Sequence, residues 1–168
     1  NWNDINPATD DNRITISGTS ITLPREFRLF SHDGYDSATG SNSIGTVNVI
    51  QSIRGNDFSI LTTVGNGRVV LGGQAVANTN FDEDNDIRGF MLLGGELVLD
   101  RTDTYAQGAR RTTGGRASLT LAGGDLTYLG RNGTTTEIMN SNLTVRAGDS
   151  RVSVVAGGGG TTELYLAT

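Results

Sequence analysis

The stretch LTLAGGD occupies Leu119–Asp125, and the chain says nearly the same again as LTVRAGD at Leu143–Asp149. Two alternating apolar residues are followed by a small residue, a glycine and an acid. The phrase also fits FMLLGGE at Phe90–Glu96 and, more weakly, RVVLGGQ at Arg68–Gln74. The four starts lie 22, 29 and 24 residues apart, a mean of 25. A second phrase keeps a similar period: TTEI ends at Ile138 and TTEL at Leu164, which sets Glu137 and Glu163 26 residues apart. Between them LTYL at 126–129 is answered by VSVV at 152–155. Self-similarity at such a period marks a unit that cannot bury its own apolar face and does so by stacking on its neighbours.

The unit is built from strands. Leu119 and Leu121, Leu143 and Val145, Val152 and Val154, and Leu164 and Leu166 alternate with polar residues. That period of two, rich in β-branched residues and bounded by Gly, Asn and Asp, describes short strands with one buried face. No segment carries a convincing helical period, and RGFMLLGGELVLD breaks on a glycine pair. The expected fold is all-β: a parallel β-helix, or β-solenoid, with coils of about 25 residues and three short strands each. Successive coils would lie about 4.8 Å apart, with Leu119 over Leu143 and Leu121 over Val145. The glycine after each strand would turn the backbone, and Asp125 and Asp149 would accept N–H bonds at the corner. The alternative is an antiparallel β-sandwich. Its support is FSILTTVGNGRVVLGG at 58–73, where Asn66-Gly67 between two apolar runs is a hairpin signal. Residues 58–168 read as the repetitive coils. Residues 1–57, with ITIS, ITLP, FRLF and TVNVI, read as an irregular β segment, a cap or an assembly region.

Composition narrows the partners. The net charge is −5, which argues against a nucleic-acid partner, whose phosphates need a basic face. All 13 basic residues are arginine, so no Lys–Asn crosslink and no Walker-type phosphate loop can form. There is no cysteine, hence no disulfide and no thiolate metal site. No apolar run approaches the roughly 20 residues of a membrane span. The chain opens NWND and stops at LYLAT in mid-pattern, as expected of a mature segment or an excerpt of something longer.

The run GGDLTYLGRNGTTTEIMNSNLTVRAGDSRVSVVAGGGGTTELYLAT resembles the autotransporter-associated β-strand repeats of large bacterial surface and secreted proteins. Gly123, Gly124, Leu126, Thr127, Tyr128, Gly130, Glu137, Leu143, Thr144, Val152 and Val154 match their layout. The likeness is good over 90–168 and loose over 58–89. It implies a right-handed β-helix, exposed outside a bacterial cell.

Few constellations suggest chemistry. In FDEDNDIRG, Asp82, Asp84 and Asp86 alternate as oxygen ligands for Ca²⁺ do. An EF-hand needs Gly where Ile87 stands and Glu where Leu93 stands, so the choice lies between a solvated acidic turn and a Ca²⁺ site completed by backbone carbonyls or a neighbouring subunit. His32, the single histidine, sits beside Asp33 and Asp36 in SHDGYD and reads as a polar turn. Glu137 and Glu163, if stacked on adjacent coils, approach the carboxylate spacing of a glycosidase, with Arg146 and Arg151 to steer an acidic sugar. Asn132 and Asn142 head glycosylation sequons.

These features point to a non-enzymatic extracellular structural protein, a solenoid segment of a surface layer, matrix or filament. Its partner would be itself, by end-to-end stacking, or the continuation of its own chain. A glycan-binding adhesin would instead show an aromatic strip, whose candidates are Trp2, Tyr35, Tyr105, Tyr128 and Tyr165. A lyase- or glycosidase-like enzyme is the least favoured alternative.

Overall fold

The structure is a computed structural model. It describes residues 13–16, 21–22, 26–32, 34–36, 41–43, 45–49, 53–54, 56–72, 87–100, 102, 118–130, 135–139, 143–158 and 161–166. Among them there is no helix, and the chain is all-β. The strands are β1 (Arg13–Ile16), β2 (Ile21–Thr22), β3 (Glu26–Ser31), β4 (Gly34–Asp36), β5 (Ser41–Ser43), β6 (Thr46–Val49), β7 (Ile53–Arg54), β8 (Asn56–Gly65) and β9 (Arg68–Leu71). They continue as β10 (Ile87–Leu92), β11 (Glu96–Asp100), β12 (Ser118–Leu121), β13 (Asp125–Leu129), β14 (Thr135–Met139), β15 (Leu143–Val145), β16 (Val152–Val155) and β17 (Thr162–Leu166).

Two parallel sheets dominate. One has the order β1-β6-β9-β11-β13-β16, the other β15-β12-β10-β8-β3. Each repeat therefore contributes one strand to the five-stranded sheet, turns a corner, and contributes the next strand to the six-stranded sheet. Third-position strands pair as β2 with β7 and as β14 with β17, also in parallel. Among the described strands only β4 and β5 pair antiparallel. β8 and β9 do not form the hairpin that Asn66-Gly67 suggested: they lie in different sheets. The glycine pair bends the chain between sheets, because the apolar faces of β8 and β9 are both satisfied by their parallel neighbours.

Register fixes the core. Leu119 pairs with Leu143 and Leu121 with Val145, as the repeated phrase implies. Leu126 pairs with Val152 and Tyr128 with Val154. Extending the columns gives Val47-Val69-Leu97-Leu126 in one sheet and Leu61-Phe90-Leu119 in the other. These side chains meet between the sheets in one cluster, joined at its edge by Leu164 and Leu166. Leu61, Leu92, Leu97, Leu99, Leu119 and Tyr128 are wholly or almost wholly out of water. Each such aliphatic chain contributes about 1.5–3 kcal/mol by leaving solvent.

Two alignments read from the letters alone are corrected by the register. RVVLGGQ is not a copy of FMLLGGE. The partner of Phe90 is Leu61, whereas Arg68–Leu71 pairs with Glu96–Leu99 one corner later. The acids of the TTE phrases do not stack either: Glu163 pairs with Thr136, and Glu137 with Leu164. A slip of one residue changes which side chains share a face.

Candidate functional site

The corner between the two sheets repeats four times. Gly65-Asn66-Gly67 joins β8 to β9, Leu93-Gly94-Gly95 joins β10 to β11, Ala122-Gly123-Gly124 joins β12 to β13, and Arg146–Arg151 joins β15 to β16. Each carries one glycine with a positive φ: Gly65 at 105°, Gly95 at 65°, Gly123 at 91° and Gly148 at 122°. The corners are also bonded to one another. Leu93 N donates to Thr63 O at 3.0 Å, Glu96 N to Gly67 O at 2.9 Å, Asp125 N to Gly95 O at 2.8 Å and Arg146 N to Leu121 O at 2.8 Å. The expected role of the repeated glycine is thus seen in its backbone. A Cβ on Gly148 would lie 2.8 Å from the Cα of Gly123, so the corners pack backbone against backbone.

Pared to glycine, the corners leave an open groove of about 580 Å³ that crosses four repeats. Its side chains are Asn66, Arg68, Glu96, Asp125, Asp149 and Arg151, together with Ser150. Arg68, Glu96 and Asp125 are the first residues of β9, β11 and β13 and are paired in register. Arg68 Nε donates to Glu96 Oε2 at 2.6 Å, and Thr127 Oγ1 donates to Glu96 Oε1 at 2.6 Å. Asp125 Oδ1 accepts the backbone N–H of Arg151 at 2.7 Å, and Gly123 N donates to Ser150 Oγ at 3.1 Å. Asp125 does accept an N–H at a corner, but from the following repeat rather than from its own turn. The arginine beside Glu96 offsets the repulsion that two neighbouring acids in a column would create. At the Asn66 end, His32 Nδ1 lies 3.2 Å from Asn66 Oδ1, and Ser31 Oγ donates to the carbonyl of Gly45.

Asp82, Asp84 and Asp86 lie outside the described residues. Among the described residues, no three His, Cys, Asp or Glu side chains come together as a metal site would need. His32 is exposed and meets Asn66, while Asp33 lies outside the described residues. Glu137 and Glu163 are not Cα partners: each stands one residue out of step with the other on the neighbouring strands β14 and β17. Arg151 lines the groove, and Arg146 is exposed at the end of the same corner. The aromatic strip loses Tyr128, which is fully buried in the core. Trp2 and Tyr105 lie outside the described residues, and Tyr35 and Tyr165 fall in β4 and β17.

Sequence reasoning missed Arg68 and Glu96 as neighbours. The signal was present: GNGR, LGGE and AGGD each place a charged residue directly after the corner glycine. Aligning Arg68 with Phe90 hid it. Among the described residues, no helix is long and apolar enough to cross a membrane. No protein-family model, curated protein or solved structure matches the chain.

Proposed function

We propose that the chain is a segment of a right-handed β-solenoid that serves as an extracellular structural protein, extended by coils stacking end to end. The observation that carries this reading is the exposure of the last repeat. Leu121, Leu126 and Tyr128 are buried at 3 %, 1 % and 0 % exposure, whereas their partners Val145, Val152 and Val154 are exposed at 64 %, 37 % and 42 %. The apolar columns run on into solvent at β15 and β16. A further coil laid on these strands would cover them and pair their open backbone edge.

The opposite edges of both sheets offer a matching pattern. β3 and β15 are the two edges of the five-stranded sheet, and β1 and β16 those of the six-stranded one. Both sheets are parallel, so a second copy can add β1 to β16, with Ile14 over Val152 and Ile16 over Val154. β1 stands one layer before β3 and β6, so the β3 of that copy lies two layers beyond β15, and the layer between is left for a further strand. Such a head-to-tail contact does not close on itself and generates an open filament. A coil supplied by the same polypeptide would extend the columns in the same way. The likeness to autotransporter-associated β-strand repeats supports a bacterial surface or secreted setting. The reading assigns no catalytic residue and no resident cofactor.

Sedimentation velocity across a wide concentration range, followed by electron microscopy, tests the stacking. The 168-residue chain is expected to assemble as concentration rises, and the variant Val145→Arg with Val154→Arg to remain monomeric with an unchanged β spectrum. Monomers at every concentration, or equal assembly by the variant, would contradict the proposal.

A further inference from the structure

The order of strands leaves one place beside β3 without a described occupant. In every described repeat a strand of the five-stranded sheet comes first in the chain and a strand of the six-stranded sheet follows: β3 then β6, β8 then β9, β10 then β11, β12 then β13, β15 then β16. β1 pairs with β6 and β2 with β7, so both belong to a layer one step before β3. That layer has its strand in the six-stranded sheet and its third-position strand. Its place in the five-stranded sheet, on the outer edge of β3, is taken by no described strand. Chain order assigns that place to residues before Arg13, and residues 1–12 lie outside the described residues.

β3 presents an edge that a strand would complete. In a parallel ladder alternate residues turn both backbone polar groups to the same neighbour. Ser31 O accepts from Gly67 N, on the β8 side, so Leu29 and Phe27 turn towards β8 as well, and Arg28 and Phe30 turn to the open side. The side chains agree. Leu29 and Ser31 are buried although β3 is an edge strand, whereas Val145, in the column of Leu29 at the opposite edge, is exposed.

The letters of residues 1–12 fit the place. Leu29, Leu92, Leu121 and Val145 share one core column, and Val47, Leu97, Leu126 and Val152 share the next one around the corner. From the first column to the second the chain counts 18, 5, 5 and 7 residues. Ile14 continues the second column. Ile5, the one branched aliphatic residue in 1–12, precedes it by 9 residues, inside that range. Between them NPATDDN, residues 6–12, supplies the turn-forming residues of a corner. Setting Ile5 beside Leu29 brings Asp4 beside the exposed Arg28 and leaves Pro7, which has no N–H, beyond the strand. Setting Ile5 beside Phe27 would put Pro7 beside Leu29, where a donor for the carbonyl of Arg28 is needed.

We propose that residues 2–5 add to the open edge of β3 as a parallel strand, with Asn3 beside Phe27 and Ile5 beside Leu29. In a single chain this strand closes one end of the five-stranded sheet. In a head-to-tail stack it fills the layer between β15 and the β3 of the next copy, beside β1 on β16. The closure of β3 stands without the end-stacking reading; the part played in the interface rests on it.

Hydrogen exchange on the 168-residue chain carrying Val145→Arg and Val154→Arg, which removes stacking, reads the closure alone. The amides of Arg28 and Phe30 are expected to be protected. Ile5→Asp puts a carboxylate in the core column and is expected to free those two amides while Leu119 and Leu121 stay protected. Freely exchanging Arg28 and Phe30 amides before that change, or protection that survives it, would overturn the proposal. A second measurement holds even if Ile5→Asp fails to fold. Asp4→Cys with Arg28→Cys is expected to close an intramolecular disulfide in a chain that has no other cysteine, and free thiols would overturn the proposal. Asp4→Cys with Thr144→Cys, without the arginine changes, reads the stack: Thr144 continues the column of Arg28, so a disulfide between copies is expected. Its absence beside a closed first pair would overturn the interface role and leave the closure of β3 in place.

Discussion

Gly95 shows what a corner demands of one residue. Its φ of 65° is left-handed, and a Cβ there would collide with the carbonyl oxygen of Gly67 in the repeat before. The dihedral alone costs an L-residue about 1–2 kcal/mol, and the collision adds to it. Gly95→Ala should lower stability by at least about 1–2 kcal/mol in urea unfolding, whereas a substitution at exposed Thr144 should leave the midpoint unchanged. At Glu26 the hydrogen bond from Arg28 Nε, at 2.8 Å, and then the charge of Arg28 hold the carboxyl below its ordinary range. A lowered folded-state value means that the contribution is present above the unfolded-state value and fades as pH falls through the lowered one. Both side chains stand in water, so Glu26→Gln should leave the melting temperature at neutral pH unmoved. Thr63 shows a polar residue inside an apolar column: it lies between Leu29 and Leu92, 2 % exposed, with its hydroxyl 3.3 Å from Gly94 O. Its side chain thus ties a buried strand to the neighbouring corner.

At the scale of elements, the strands behave as interchangeable layers, and that governs both their stability and how well they can be read. Leu121 packs under Val145 and over Leu92, so Leu121→Ala should cost about 2–5 kcal/mol. Val145→Ala, on a half-open layer, should cost much less; comparing the two by urea unfolding checks whether burial rather than strand propensity sets the energy. The Arg68–Glu96 pair is partly exposed, at 41 % and 26 %, and Glu96→Gln should cost no more than about 1 kcal/mol despite the short contact. The literal repeat of LTLAGGD made the register of β12 on β15 legible, since identical letters at identical spacing leave one alignment. RVVLGGQ misled because every strand facing the core carries the same alternation before a glycine, so letters cannot say which sheet a strand joins. The TTE phrases misled for a different reason. The run of glycines at 157–160 can take up one residue without any change in apolar pattern, and β14 and β17 settle one step away from the match. The groove was half legible: the acids after each corner glycine stood out, but their arginine neighbour did not.

At the scale of the molecule, the same parallel stacking explains the buried columns, the bonded corners and the exposed last layer. Each further coil would lengthen both the columns and the corner groove. The central claim is therefore the parallel, in-register stacking itself. The chain contains no cysteine, so two introduced thiols report without interference. The most direct measurement is the oxidation of the double variant Thr120→Cys with Thr144→Cys, whose positions are Cα partners on β12 and β15. Adjacent strands bring such partners to about 4.8 Å, inside the span a disulfide bridges. The account predicts a rapid intramolecular disulfide under mild oxidant, and none when Thr144→Cys is paired with Thr62→Cys three layers away. Free thiols in the first variant, or equal crosslinking in the second, would contradict it.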